Sequence, residues 1–155
     1  MSGLNKEIAK IRRWCAMQER CLVEVKIHAL ALGLSDKDAD KAIQTLVDEG
    51  FVDEERYAKI YAGSKFRNKN WGRARIIGEL RARQIPEDVI KIGLSEIDED
   101  EYRSRIVEMV KHKIAVTDRS NMLLFKHRLA KPAIAKGYEN ELVHKIIDEL
   151  IKEKK

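Results

Sequence analysis

With 155 residues, 44% of them hydrophobic and 37% charged, the chain carries enough apolar material for a core and too much charge for a membrane-spanning protein. Its longest uncharged stretch, Ile27 to Ser35, is nine residues, against the roughly 20 that a transmembrane helix needs. The opening Met1-Ser2-Gly3-Leu4-Asn5-Lys6-Glu7 lacks the apolar run of a secretory signal, so a cytoplasmic location is expected.

Every predicted element is a helix. Leu4 to Arg13 reads as a short leading helix, within a segment 1–13. Cys15 and Cys21 lie six residues apart in what reads as helical sequence, about 600° around the axis, so two separate reduced thiols are expected rather than a disulfide. From there one apolar frame recurs three times, shifted by 51 and then by 53 residues. Val25, Ala29 and Leu34 correspond to Ile76, Leu80 and Ile85, and these to Leu129, Ala133 and Tyr138. A second helix follows in each copy. Its i, i+4, i+7 stripe is Ala39, Ile43 and Leu46, then Ile90, Leu94 and Ile97, then Val143, Ile147 and Leu150.

The boundaries carry their own chemistry. Gly33, Gly50 and Gly137 stand just past helix ends, where a left-handed residue is wanted. Ser35 and Asp53 are placed as N-caps, Asp98 opens an acid-rich first turn, and Pro86 occupies a first-turn position. Third helices run through Tyr57, Ile60 and Tyr61, and through Tyr102, Ile106, Met109 and Val110. Pro132 falls inside the first helix of the third copy and should kink or break it near Arg128. The expected architecture is all-α: tandem three-helix repeats at 14–70 and 71–116, a third truncated to two helices at 117–155, stacked into an elongated, curved molecule.

Charge is segregated along the chain. Residues 34–62 hold four basic and eight acidic side chains, residues 63–85 seven and one, residues 86–102 one and seven, and residues 103–137 nine and two. Such blocks place basic and acidic zones on a folded surface and favour a polyanion at one of them. The densest basic stretch contains Lys65, Arg67, Lys69, Arg73, Arg75, Arg81 and Arg83, with Trp71 among them. Arg75 stands opposite the stripe Ile76, Ile77 and Leu80, on the face where packing gives it no task. These seven are the candidate contacts to phosphate or to an acidic partner surface. The bland reading is a set of solvated cations.

Catalytic and metal signatures do not emerge. His28, His112, His127 and His144 lack zinc-ligand spacing. Asp36, Asp38 and Asp40 begin like a calcium loop, but its sixth position is Lys41 and its twelfth Val47. The glycines form no phosphate-binding loop. A binding protein is expected, without a cofactor, metal or small-molecule substrate. Nothing suggests a coiled-coil dimer, so a monomer is expected.

The run Gly50-Phe51-Val52-Asp53-Glu54-Glu55-Arg56-Tyr57-Ala58, followed by Trp71-Gly72-Arg73-Ala74-Arg75-Ile76-Ile77-Gly78-Glu79-Leu80, resembles the signature of the RecX family of bacterial recombination regulators. Cys21-Leu22-Val23-Glu24-Val25 is similar to that family's first-repeat helix and Lys136-Gly137-Tyr138 to its third-repeat turn. One element departs: Gln84 stands before Ile85 where the family has glycine. The resemblance covers roughly residues 14–150. It implies a regulator that binds the RecA recombinase filament on DNA, lying in its groove and inhibiting strand exchange and ATP hydrolysis, in DNA recombination, repair and the SOS response. The alternative is a general DNA-binding helical module, contacting single- or double-stranded DNA without a specific recombinase.

Overall fold

The computed structural model describes residues 3–153; residues 1, 2, 154 and 155, at the ends of the expected segments 1–13 and 117–155, lie outside it. The described residues form nine helices and no strand. They are α1 (Gly3–Met17), α2 (Leu22–Ala31), α3 (Asp36–Asp48), α4 (Glu54–Lys69), α5 (Arg73–Ala82), α6 (Glu87–Leu94), α7 (Glu99–Ile114), α8 (Met122–Ala135) and α9 (Asn140–Glu153). None is long and apolar enough to cross a membrane. The chain divides into two compact units: Met1–Ile60 with Leu80–Gly93, and Tyr61–Glu79 with Leu94–Lys155. The division falls inside α4 and α5.

In the first unit, α1, α2 and α3 pack on one another. Their shared core is Ile8, Ile11 and Cys15 against Val25 and Ala29 and against Ala39, Ala42 and Leu46. Burial of these side chains, at about 25 cal/mol per Å² of apolar surface, is what holds three short helices that would be marginal alone. The leading helix is thus longer than expected, ending at Met17, and belongs to this core. The same element corrects the reading of the cysteines as sharing one helical stretch. Cys15 is in α1, whereas Cys21 lies beyond the break after Met17 and caps α2. Both are free and buried. Burial pushes the Cys21 thiol up to about 11.

Caps form where the side chains predict them. The Ser35 hydroxyl accepts from the Asp38 N–H at 3.1 Å, the Asp53 carboxylate from Arg56 N–H at 3.0 Å, and the Asp98 carboxylate from Glu101 N–H at 2.9 Å. Gly33, Gly50 and Gly137 all have positive φ. Gln84 takes the same left-handed backbone, φ 60°, so the turn after α5 keeps its geometry although its glycine is absent. Ala58 makes a close helix contact: a Cβ on Gly93 of α6 would stand 2.8 Å from the Ala58 backbone.

The second unit contains α7, α8 and α9, packed pairwise on one another. Phe66, Tyr102, Phe125 and Tyr138 are among its largest fully buried side chains. The Tyr102 ring lies 5.7 Å from Phe66 and 4.9 Å from Tyr138. Helix α8 corrects the expectation of a break: it runs from Met122 to Ala135 with Pro132 inside. The lost proline N–H would have met the carbonyl of Arg128, an exposed residue whose backbone water can satisfy. Leu129, Ala130 and Ala133, all buried, hold the helix to its core on both sides of the ring. Ile60, read as part of an apolar stripe, is instead 48% exposed.

Candidate functional site

Five of the seven basic candidates, Lys65, Arg67, Lys69, Arg73 and Arg75, belong to the second unit, and Arg81 and Arg83 to the first. The end of α4 and the start of α5 position the five. The link between them is short because Asn70 turns the chain at φ 58°, after which Gly72 passes through a gap with no room for a side chain. A Cβ there would lie 2.3 Å from the Gly137 carbonyl carbon and from the Tyr138 nitrogen. Two backbone hydrogen bonds fix this approach: Gly72 N–H donates to the Lys136 carbonyl at 2.8 Å and Ala74 N–H to the Gly137 carbonyl at 3.0 Å. The adjoining aromatic side chains anchor it further, with the Tyr138 hydroxyl donating to Asn70 Oδ1 at 2.7 Å.

Trp71 is held half-buried beside this turn and collects cations. The Arg75 guanidinium lies 4.4 Å from the indole centroid and Lys65 Nζ 5.1 Å from it. Lys65 is also 5.4 Å from the Tyr61 ring, which meets Trp71 edge-on at 6.4 Å. Cation–π attraction of this kind contributes about 0.5–1 kcal/mol at exposed sites and holds two long side chains against the rings while their charge faces solvent. Arg67 and Lys69 are exposed in the last turn of α4. Arg67 folds back over Gly63, its guanidinium about 3 Å from where a Cβ would stand.

Arg73 is in different surroundings. Its guanidinium lies over the Tyr102 ring at 3.9 Å and pairs with both Glu99 and Glu139, the latter at 3.0 Å. The Arg73 backbone N–H donates to the Tyr102 hydroxyl at 2.9 Å, and that hydroxyl donates in turn to Glu139. The cation is enclosed by its own neighbours, and burial pushes the Tyr102 hydroxyl far above the ordinary phenol range. Arg105 is similarly occupied, donating to the Phe66 carbonyl at 2.9 Å and lying 4.5 Å from that ring.

In the first unit, Arg81 pairs with Glu87 at 2.5 Å, both exposed. Arg83 hydrogen-bonds the hydroxyl of Tyr57. Sequence reasoning missed Tyr61, Asn70, Tyr102 and Glu139 as neighbours of the basic stretch. For the last two no signal existed, since Glu139 is 66 residues from Arg73.

The fold and this surface define a class: an all-helical protein of packed helix triplets that displays an indole-centred group of cations. The family model described as RecX, second three-helix domain, matches residues 53–94, from the cap of α4 to the end of α6. The regulatory protein RecX of Lactobacillus johnsonii is 21% identical over 140 residues, covering 88% of this chain and 51% of the relative. That of Mycolicibacterium smegmatis is 22% identical over 140 residues, covering 87% and 74%. The chain thus spans between half and three quarters of the length of these relatives. The crystal structure of RecX from Lactobacillus salivarius superposes with a TM-score of 0.85 at 16% identity, covering 95% of this chain and 96% of that one. A second crystal structure of a regulatory protein RecX gives 0.79 at 14% identity, covering 94% and 73%. These likenesses agree with the resemblance to the RecX family that the sequence carries.

Proposed function

We propose that this chain regulates recombination by binding the RecA recombinase filament on DNA and inhibiting its strand exchange and ATP hydrolysis. The observation that carries the reading is the match of residues 53–94 to the RecX second three-helix domain. That stretch includes Lys65, Arg67, Lys69 and Arg75. With Trp71 they form the basic surface assigned to the filament, because phosphate attracts exposed cations and a half-buried indole offers a stacking face. Arg73, Arg81 and Arg83 already have partners within the chain, so their contribution to binding is secondary. The three-helix repeats at 14–70 and 71–116 and the two-helix repeat at 117–155 are read as successive modules of one binding monomer.

The test adds the purified chain to preformed RecA filaments on single-stranded DNA and follows ATP hydrolysis. The rate falls on addition, and it recovers in large part when Lys65, Arg67, Lys69 and Arg75 are replaced together by glutamine while the circular dichroism spectrum stays helical. An unchanged rate with the native chain in stoichiometric excess overturns the reading.

The exposed cations at the end of α4 also favour a second reading, a general DNA-binding helical module for single- or double-stranded DNA. It predicts tight binding to naked DNA with a steep salt dependence, the logarithm of affinity falling by about 0.7–0.9 per phosphate contact for each tenfold rise in salt. On this reading, assembled recombinase is unaffected.

A further inference from the structure

The second unit carries another surface, on α7, α8 and the loop between them, that the recombinase reading does not use. Four apolar side chains stand in solvent there: Val116 at 72%, Leu123 at 82%, Leu124 at 47% and Met122 at 45% exposure. So much aliphatic surface gathered on one loop and the helix turn that follows it is unusual for a face in contact only with water. Two adjoining hollows lie alongside, sharing Lys113 and Pro132. Arg128 and Lys131 also line them. On α8, Leu124, Arg128 and Lys131 stand at i, i+4 and i+7 and therefore on one face of the helix. An apolar anchor point is followed, turn by turn, by two cations.

We infer that this groove binds an acidic amphipathic peptide segment of a partner protein, with apolar side chains seated on Val116 and Leu124 and carboxylates meeting Lys113, Arg128 and Lys131. Charge complementarity selects the acidic occupant. The exposed aliphatic side chains select a polypeptide over a nucleic acid, because they offer nothing to phosphate. The phenyl ring of the patch is not offered to a base, since Phe125 is fully buried with Arg119 at 4.8 Å from its centroid, and the exposed ring in the lining is the small His112 imidazole. Asp118 and Glu108 in the lining repel a uniformly charged phosphate chain. Rows at i, i+4 and i+7 fit an occupant that is itself helical, its apolar side chains repeating at the same interval.

The probe is a short fluorescein-labelled synthetic peptide with leucines at i, i+4 and i+7 and glutamates on the flanking positions, titrated with the full chain and followed by anisotropy. The peptide binds, and Leu124→Ser or Lys131→Glu each weakens it by about tenfold or more. Both substitutions are at solvent-accessible positions, and an unchanged circular dichroism spectrum confirms the fold. Three results overturn the proposal: no binding, equal binding of a peptide with serine in place of every leucine, or affinity unmoved by the two variants. A fourth does so as well: an oligothymidylate that binds with the same sensitivity to Leu124→Ser, which makes the groove a nucleic-acid surface.

Discussion

At the scale of single residues, the basic stretch separates into cations that hold the protein together and cations that face outward. Arg73 and Arg75 are two positions apart on α5, yet Arg73 sits on Tyr102 between Glu99 and Glu139, whereas Arg75 is exposed over Trp71. Removing the Arg73 cation leaves two carboxylates without their counter-charge and the Tyr102 ring without its cation, a loss of about 1–3 kcal/mol. Arg73→Gln therefore lowers the thermal midpoint by several degrees, while Arg75→Gln costs no more than its cation–π contact, about 0.5–1 kcal/mol, and moves the midpoint less. Paired melts followed at 222 nm check this. Equal midpoints for the two variants would show that the Arg73 network carries no stability. Helical phase singles out Arg75 in the sequence, but charge alone puts Arg73 beside it among the candidate contacts. Their difference is made by Glu139, which reaches Arg73 only through the fold.

At the scale of elements, helix positions and ends were legible, and for a physical reason. Apolar spacing and capping side chains are local, so Ser35, Asp53, Asp98 and the three left-handed glycines behave as their sequence context predicts. Two element features were not legible. The phase of the triplets was read from α2, but a repeating series of helices looks the same from any starting helix. Packing joins α1 to α2 and α3, and α7 to α8 and α9. Nor did Pro132 break α8, because buried side chains before and after it outweigh one missing hydrogen bond. Gln84 shows the converse, a position where tertiary structure holds a residue against its preference. A non-glycine residue in the left-handed region costs about 1–2 kcal/mol, partly offset by the extra freedom glycine has when unfolded. Gln84→Gly accordingly raises stability by about 0.5–1 kcal/mol, read as a higher urea midpoint at an unchanged slope. A lower midpoint would mean that the glutamine side chain contributes more than its backbone costs.

At the scale of the whole molecule, both units bury acids that are neutral at physiological pH, and this sets the alkaline limit of stability. In the first unit burial raises Cys15, takes Cys21 up to about 11 and raises Tyr57. In the second, burial raises Tyr102 and takes Tyr138 up to about 12. All five keep their protons longer in the folded chain than in the unfolded one, where thiols release theirs near 9.0 and phenols near 10.0. Above those values the unfolded chain binds fewer protons, so stability falls as pH rises. Each such group adds about 1.4 kcal/mol per pH unit to the fall until its folded value is reached. Below the thiol value none of the five titrates in either state and their contribution is flat. Urea midpoints measured from pH 8 to pH 11 should therefore hold steady at first and drop ever more steeply above about pH 9, as thiols and then phenols ionise in the unfolded chain. The Cys21→Ala variant, compared with its own value at pH 8, should drop less steeply between pH 9 and 11, because one of the protons released on unfolding is gone. A midpoint that stays level to pH 11 would mean that these side chains meet water in the native state, which is incompatible with the cores described for either unit.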